Sequence, residues 1–488
     1  MSIHFHHDHK NYNIKLIEGK NSDLTLVIHG VAYSVTAARE QLADVRKILH
    51  PIFSDSFSSI GQLSDRIGQL EGVSAVKVQK IATDILRPSS PGSEIAEVVQ
   101  KNMRELNIPG ASIAVIDGSE IAWSAGYGDL ARPVLIQAAS ISKTVTALAV
   151  LSLIQDKIID LDTDVSTLLP PPLWRSIDPE GLLEGEHPKM TIRELLSHTA
   201  GTTVGGFRGY LRGKEIDDEI LLLTGQIDSL RHQEGASHEI VRLGKRLEEL
   251  ETCRLEVREV PTLDGILRGE GNSRRVQVVA IPGTRVEYSG GGTTILQKVL
   301  EVVTGKRFEE IVQERVFDPL DMSHSTYRPE ILPVSSGHGA DGADIPGQWM
   351  IHPELAAAGL WTTPVDLAKM ACGIQRSIAH ERGAILSPTL AKEMSSSQTV
   401  LNRRMGLGLF IQKNPHSTYF FHRGNNIGFR CALFFNSNGQ GAVVMTNSES
   451  GDRLNDEVIS TIARVYHWPD ADTFSSLSDG EDEWPEVL

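Results

Sequence analysis

Two kinds of helical pattern alternate with short apolar strands along this chain. After Lys143 the run Thr144-Val145-Thr146-Ala147-Leu148-Ala149-Val150 is apolar almost all round a 3.6-residue period, which predicts a helix enclosed in a core. Ile216, Ile220, Leu223, Ile227 and Leu230 step instead by four, three, four and three residues. Ile240, Leu243, Leu247 and Leu250 step by three, four and three. Each series is a single apolar stripe, and Gly235-Ala236-Ser237 between them marks a turn, so an antiparallel hairpin with facing stripes is expected. Another amphipathic helix is predicted around Ile295, Leu296, Val299 and Val302-Val303, after a Pro282-Gly283 turn and a strand-like run. Tyr419 to Phe421, Arg430 to Phe435 and Gly441 to Thr446 read as strands, the last two joined by the turn Asn436-Ser437-Asn438-Gly439.

These patterns divide the chain. Residues 1–90 are expected to form an accessory module, with strands at Tyr12–Ile17 and Leu24–Ile28 and helices at Ala37–Leu49 and Ile60–Leu70. Pro88-Ser89-Ser90-Pro91-Gly92 reads as a linker. Residues 92–468 form the main domain, interrupted by the 216–257 hairpin, and residues 469–488 form a polar, acidic tail expected to be solvated and disordered. The hairpin cannot bury much by itself. Its outer face is expected to rest on the core or on another copy of the chain, capping a cleft or joining subunits.

Composition narrows the partners. A hydrophobic share of 40% suits a globular protein, and the 488 residues have room for two or three domains. A formal net charge of −16 disfavours nucleic acid and anionic membranes as partners. No apolar run reaches membrane-spanning length, the first residues lack a secretory apolar region, and Cys253, Cys372 and Cys431 make no disulfide framework. A cytoplasmic location is expected.

Candidate chemistry begins at Ser140-Ile141-Ser142-Lys143. Residues three apart share a helix face, so the Ser140 hydroxyl and the Lys143 amine can meet. Serine needs a neighbour to take its proton, and a lysine can do so only when desolvation or a nearby cation keeps it neutral. The same tetrapeptide also fits a helix cap followed by a solvated lysine. A phosphate loop is excluded, because Ile136-Gln137-Ala138-Ala139 stands where its glycines are needed. Tyr288, at Ser289-Gly290-Gly291-Gly292, is placed for proton transfer beside a lysine, or for a buried hydrogen bond to backbone. His198, in Leu195-Leu196-Ser197-His198-Thr199-Ala200-Gly201, is expected to be a structural hydrogen-bonder. Strand amides near His422-Arg423-Gly424 could stabilise an oxyanion.

Ser140-x-x-Lys143, the 195–201 stretch, Tyr288-Ser289-Gly290 and His422-x-Gly424 stand in the order found in the penicillin-recognising serine hydrolases. The chain resembles that family of class C β-lactamases, DD-peptidases, D-aminopeptidases and related esterases from about Gly92 to Trp468. Ile159 to Asp162, Leu168-Leu169-Pro170, Phe317 to Met322 and Gly359 to Pro364 add to the likeness. The resemblance implies an α/β (α+β) fold: an antiparallel sheet flanked by helices, a mostly helical lobe, and a site in the cleft between. It implies that Ser140 is acylated, that Lys143 and Tyr288 move its proton, and that the amides of Ser140 and Asn425 bind the oxyanion. His422, Gly424 and Asn425 then line the substrate, and no cofactor is called for.

Two departures set the expected substrate. Gly290 stands where many members carry the asparagine of Tyr-x-Asn, and His422 replaces the lysine of Lys-Thr-Gly. Both argue against efficient β-lactam hydrolysis and for an ester, amide or peptide substrate. The rivals are an acyltransferase using the same groups, and a non-catalytic scaffold assembling through the 216–257 hairpin. Two further motifs lead elsewhere. His4-Phe5-His6-His7-Asp8-His9 spells the zinc motif of metallo-β-lactamase-fold hydrolases, but only three residues precede it, so an exposed tail that binds metal adventitiously is expected instead of a catalytic zinc site. Asp160, Asp162 and Asp164 begin like a calcium loop, but Val165 and Pro171 occupy the positions of its glycine and glutamate.

Overall fold

The computed structural model describes the backbone of residues 2–7, 10–18, 24–28, 31–35 and 91–471, except 186–188, 232–235 and 403, with side chains from residue 92 onward. The chain forms two compact units, one of residues 1–98 with 123–125, the other of 99–122 and 126–488.

In the first unit, β1 (Ser2–His7), β2 (Lys10–Glu18), β3 (Leu24–Ile28) and β4 (Val31–Val35) form an antiparallel meander in sequence order. Sequence reasoning found β2 and β3 and missed their outer neighbours. As far as it is described, through His7, the histidine-rich stretch is therefore a paired strand, with Phe5 opposite Tyr12, and not a free tail. Ile3 and Phe5 alternate with His4 and His6, the period of a strand. Pro91 and Gly92 open helix α1 (Pro91–Glu105) instead of ending a linker; proline suits a first helical turn, where its missing N–H would have had no partner. The helices expected at 37–49 and 60–70, and the acidic tail beyond residue 471, lie outside the described residues.

The second unit is built on a sheet ordered β6-β5-β12-β11-β10-β9, from β5 (Gly110–Asp117), β6 (Glu120–Gly128, apart from its residues 123–125), β9 (Phe410–Lys413), β10 (Thr418–Asn426), β11 (Phe429–Asn436) and β12 (Gly441–Thr446). The pairs from β5 to β9 are antiparallel. A short ribbon, β7 (Ile136–Gln137) with β8 (Trp361–Thr362), lies apart. β11 and β12 are apolar on both faces because helices cover both. Cys431, Leu433 and Phe435 face the main core, which includes helix α2 (Ser142–Gln155). Thr446 and Arg430, on the opposite face, receive Gly451.

The hairpin is present as α3 (Gly213–Leu230) and α4 (Ser237–Glu256), with Ile216, Leu223, Ile227, Leu243 and Leu250 buried between them. The predicted stripes face each other. Of the two expected supports for the outer side, its own domain is absent at four positions: Leu221, Leu222, Val241 and Leu255 are 74%, 60%, 71% and 80% exposed. Its core is separate from the main one. Gly213 and Val257 meet, a Cβ on the glycine lying 2.8 Å from Val257 Cγ1, so the hairpin leaves and re-enters the domain at one place. Among the described residues no helix is long and apolar enough to cross a membrane.

Candidate active site

Ser140 lies in a 3-10 turn, Ala139–Ile141, that leads into α2. Ala139 has φ +48°, a left-handed conformation that costs an L-residue about 1–2 kcal/mol and is sustained only by its surroundings. Those surroundings are explicit. Ala138 N donates to Leu360 O at 2.9 Å, and Ser142 Oγ donates to Ala139 O at 2.5 Å while accepting from Leu360 N at 3.1 Å. From the other side Gly424 of β10 presses so close that a Cβ would run into the Ala138 carbonyl oxygen. This is the physical need for glycine in His-x-Gly. β9 pairs with β10 only from Thr418 to Phe421, which leaves the 422–426 edge unpaired by β9. Asn425 on that edge is exposed.

Lys143 is 3% exposed, with Nζ 2.9 Å from Ser140 Oγ and 2.8 Å from Ala357 O. The solvated-lysine alternative is thereby excluded. Burial lowers the Lys143 pKa to about 7, against the opposing pull of Glu354. As an ammonium it donates to both oxygens; as an amine it can donate to Ala357 O and turn its lone pair to the Ser140 hydroxyl.

Tyr288 enters beside them, its ring centre 4.9 Å from Lys143 Nζ. The side chain is half-buried, but its hydroxyl is closed off from water and completes no full hydrogen bond. Burial drives its pKa well above the usual phenol value, with Ser140 alone pulling the other way. The phenol thus keeps its proton at neutral pH. His198 holds the tyrosine in place from both flanks. Its carbonyl accepts from Glu287 N at 2.9 Å, its Nδ1 accepts from Ser289 N at 3.2 Å, and the two rings lie 4.5 Å apart.

The three glycines after Ser289 are the first turn of helix α5 (Gly290–Thr304), not a loop, and Ser289 Oγ caps it by accepting from Gly292 N at 2.9 Å. Gly290 N and Gly291 N donate to Gly205 O and Val204 O, both at 2.9 Å. A Cβ at Gly290 would lie 2.9 Å from Gly205 O and 3.2 Å from the Phe207 ring. The asparagine of Tyr-x-Asn therefore has no room here.

His422 is 2% exposed, and its Nδ1 is 2.7 Å from Arg423 O. A carbonyl only accepts, so Nδ1 carries the proton, and the neutral ring leaves Nε2 bare, buried and unpartnered. Burial, followed by Lys143, lowers its pKa to about 3; His198 is held at about 3 by burial, then Lys143 and His422. His422 accordingly offers no positive charge to a substrate near neutral pH. It walls the site, packing 5.4 Å from Phe410 and 6.2 Å from Tyr288 between ring centres.

Sequence reasoning missed the groups behind these. Asn426 Nδ2 donates to Gln137 Oε1 at 2.8 Å and to Ala358 O at 3.2 Å, joining the β10 edge to the segment that holds Lys143. Ala357 acts through its carbonyl, which no side-chain motif could announce. Among the described residues no group of three or more His, Cys, Asp or Glu is placed to hold a metal ion.

A Beta-lactamase family model matches residues 95–465. An unguisins hydrolase of Aspergillus campestris is 26% identical over 328 residues, covering 63% of this chain and 51% of that protein. The chain spans about half the length of the curated relatives it matches. The octameric penicillin-binding protein homologue from Pyrococcus abyssi superposes with a TM-score of 0.55 at 20% identity, covering 77% of each chain. A D-stereospecific amidohydrolase from Streptomyces sp. gives a TM-score of 0.51 at 20% identity, covering 76% of this chain and 98% of its own. Likeness at this identity establishes the fold, a β-lactamase/transpeptidase-like sheet with flanking helices.

Proposed function

The chain belongs to the Beta-lactamase family, and we propose that its 92–468 domain is a serine hydrolase that cleaves an ester or amide through a Ser140 acyl-enzyme. The observation that carries this reading is Lys143 Nζ, shielded from water, 2.9 Å from Ser140 Oγ and poised to lose its proton near pH 7. Lys143 takes the hydroxyl proton as Ser140 Oγ bonds to the acyl carbon. The amides of Ser140 and Asn425 hold the oxyanion, and the Tyr288 phenol, protonated at rest, gives its proton to the leaving alcohol or amine and takes the abstracted one from Lys143 as the acyl–leaving-group bond breaks. Water then attacks the ester carbon, its proton passing through the Lys143–Tyr288 pair to Ser140 Oγ as the acyl–Oγ bond breaks. Gly424 lets the β10 edge reach the acylation site, and neutral His422 forms its wall.

The missing asparagine and the uncharged His422 support ester, amide or peptide substrates over β-lactams. Two structural neighbours, the D-stereospecific amidohydrolase and a D-amino acid amidase from Ochrobactrum anthropi, make D-residue amides and peptides the first substrates to try. A serine-directed fluorophosphonate should modify Ser140, identified by peptide mass, and Ser140→Ala should take up none. A wild-type chain unmodified at Ser140 and inactive on esters, amides and β-lactams would refute the proposal. Rapid β-lactam turnover would refute the substrate preference alone.

A further inference from the structure

Behind Lys143 lies a buried acid–imidazole pair that the mechanism above does not use. Glu354 is 0% exposed; one carboxylate oxygen lies 3.1 Å from His352 Nδ1 and the other has no partner. His352 Nε2 is also buried and unpartnered, against Gly209. A half-satisfied buried carboxylate is costly, and such a group is normally neutralised, paired or removed.

The local backbone shows what it serves. The Glu354 carbonyl accepts from Ala357 N and Ala358 N at 3.0 and 3.1 Å, opening the single turn Leu355–Ala358. That turn is joined to α2 by Lys143 Nζ on Ala357 O at 2.8 Å and by Thr146 Oγ1 on Ala356 O at 3.0 Å. Gln297 of α5 clamps it from behind, accepting from Ala356 N at 3.0 Å. The groups around Lys143 are Ser140, the Ala357 carbonyl, the Tyr288 ring, the neutral rings of His198 and His422, and Glu354. Glu354 is the carboxylate in that set. Facing it are Lys143, His352 and Tyr210, whose phenol its charge pushes up, behind the larger effect of burial.

We propose that Glu354, oriented by His352, is the buried counter-charge of Lys143: a positioning residue that decides the pH at which the amine becomes a base. The inference rests on the serine-hydrolase reading. Burial alone would lower the Lys143 pKa further. The Glu354 charge restores affinity for a proton, so that the resting amine can both accept a proton from Ser140 and surrender it near neutrality.

The test follows the rate of Ser140 modification by a non-ionising phosphonate from pH 5 to 9, on the full chain. The wild-type rate should rise with a midpoint near pH 7. In Glu354→Gln and Glu354→Met the midpoint should fall by about one pH unit, so that the rate at pH 6 rises roughly fivefold while the alkaline plateau holds. Glu354→Asp should return the midpoint toward wild type. A folded Glu354→Gln or Glu354→Met with an unmoved midpoint would overturn the inference. So would unfolding of both at pH 8.5, where Lys143 is neutral and needs no counter-charge. A wild-type chain that is never modified would overturn the hydrolase reading instead.

Discussion

Helix α2 and the α3–α4 hairpin are made of similar helical material arranged on opposite plans. At the start of α2 four polar side chains are buried, and each reaches backbone far away in sequence. Lys143 holds Ala357 O, Thr144 holds Gly408 O, Thr146 holds Ala356 O, and Ser142 holds Leu360 N. In the hairpin the polar groups stay on the surface and pair with one another, as Arg246 does with Glu219 and Glu249. A change in α2 should therefore be felt in chemistry and in the parts it ties together. A change in the hairpin should stay within the hairpin.

That contrast can be broken at several points. The largest effect is expected from Lys143→Met, which should slow Ser140 modification by roughly 10²–10⁴-fold, the usual span of a lost general base. It should also abolish the rise of rate through pH 7: protonated Lys143 cannot accept a proton, so wild-type activity appears only as pH climbs past its lowered pKa. Next comes Leu250→Ala, which empties a fully buried site between α3 and α4 and should cost about 2–5 kcal/mol. Hydrogen exchange should show the loss within residues 213–256, with Ser140 modification unchanged; a fall in modification rate would join the hairpin to the catalytic centre and end the contrast. Gly424→Ala should cost roughly 1–3 kcal/mol by overpacking against Ala138, and, unlike the hairpin change, should also slow modification of Ser140. The smallest effect belongs to Leu221→Ser, whose residue is 74% exposed: denaturant unfolding should move by less than about 0.5 kcal/mol. A marked loss of stability there, together with a change in molecular mass in solution, would mark that face as a contact between copies of the chain.

The two plans were not equally legible. The hairpin could be read nearly to the residue, because a 3.6-residue stripe is a local signal and the helices bury only each other. The strands β10 to β12 were legible for the same reason, although β10 runs past Phe421 to Asn426 where the apolar signal stops. The exposed Leu221, Leu222, Val241 and Leu255 lay outside the stripes that were read, since periodicity says which side is apolar and not what covers it. At the site, Ser140, Lys143, Tyr288, His198, His422 and Gly424 were all named from motifs, and the structure gathers them round one turn. Glu354, Ala357 and the Gln137–Asn426 pair went unseen, because they act through a field or a backbone atom at separations of more than 200 residues.

Sequence by itself determined what local spacing can determine: that Ser140 and Lys143 share a helix face, that the following helix is buried, and where the amphipathic hairpin lies. It also determined that Gly290 and His422 depart from the family pattern. Only the tertiary structure decided what those residues do electrically. Lys143 titrates near 7, His422 stays neutral, Tyr288 keeps its proton, and Gly290 has no room for a side chain. The physical reason is that desolvation and Coulomb attraction depend on what surrounds a group in space. For Lys143 the surroundings come from four separate stretches, at 198, 288, 354–357 and 422.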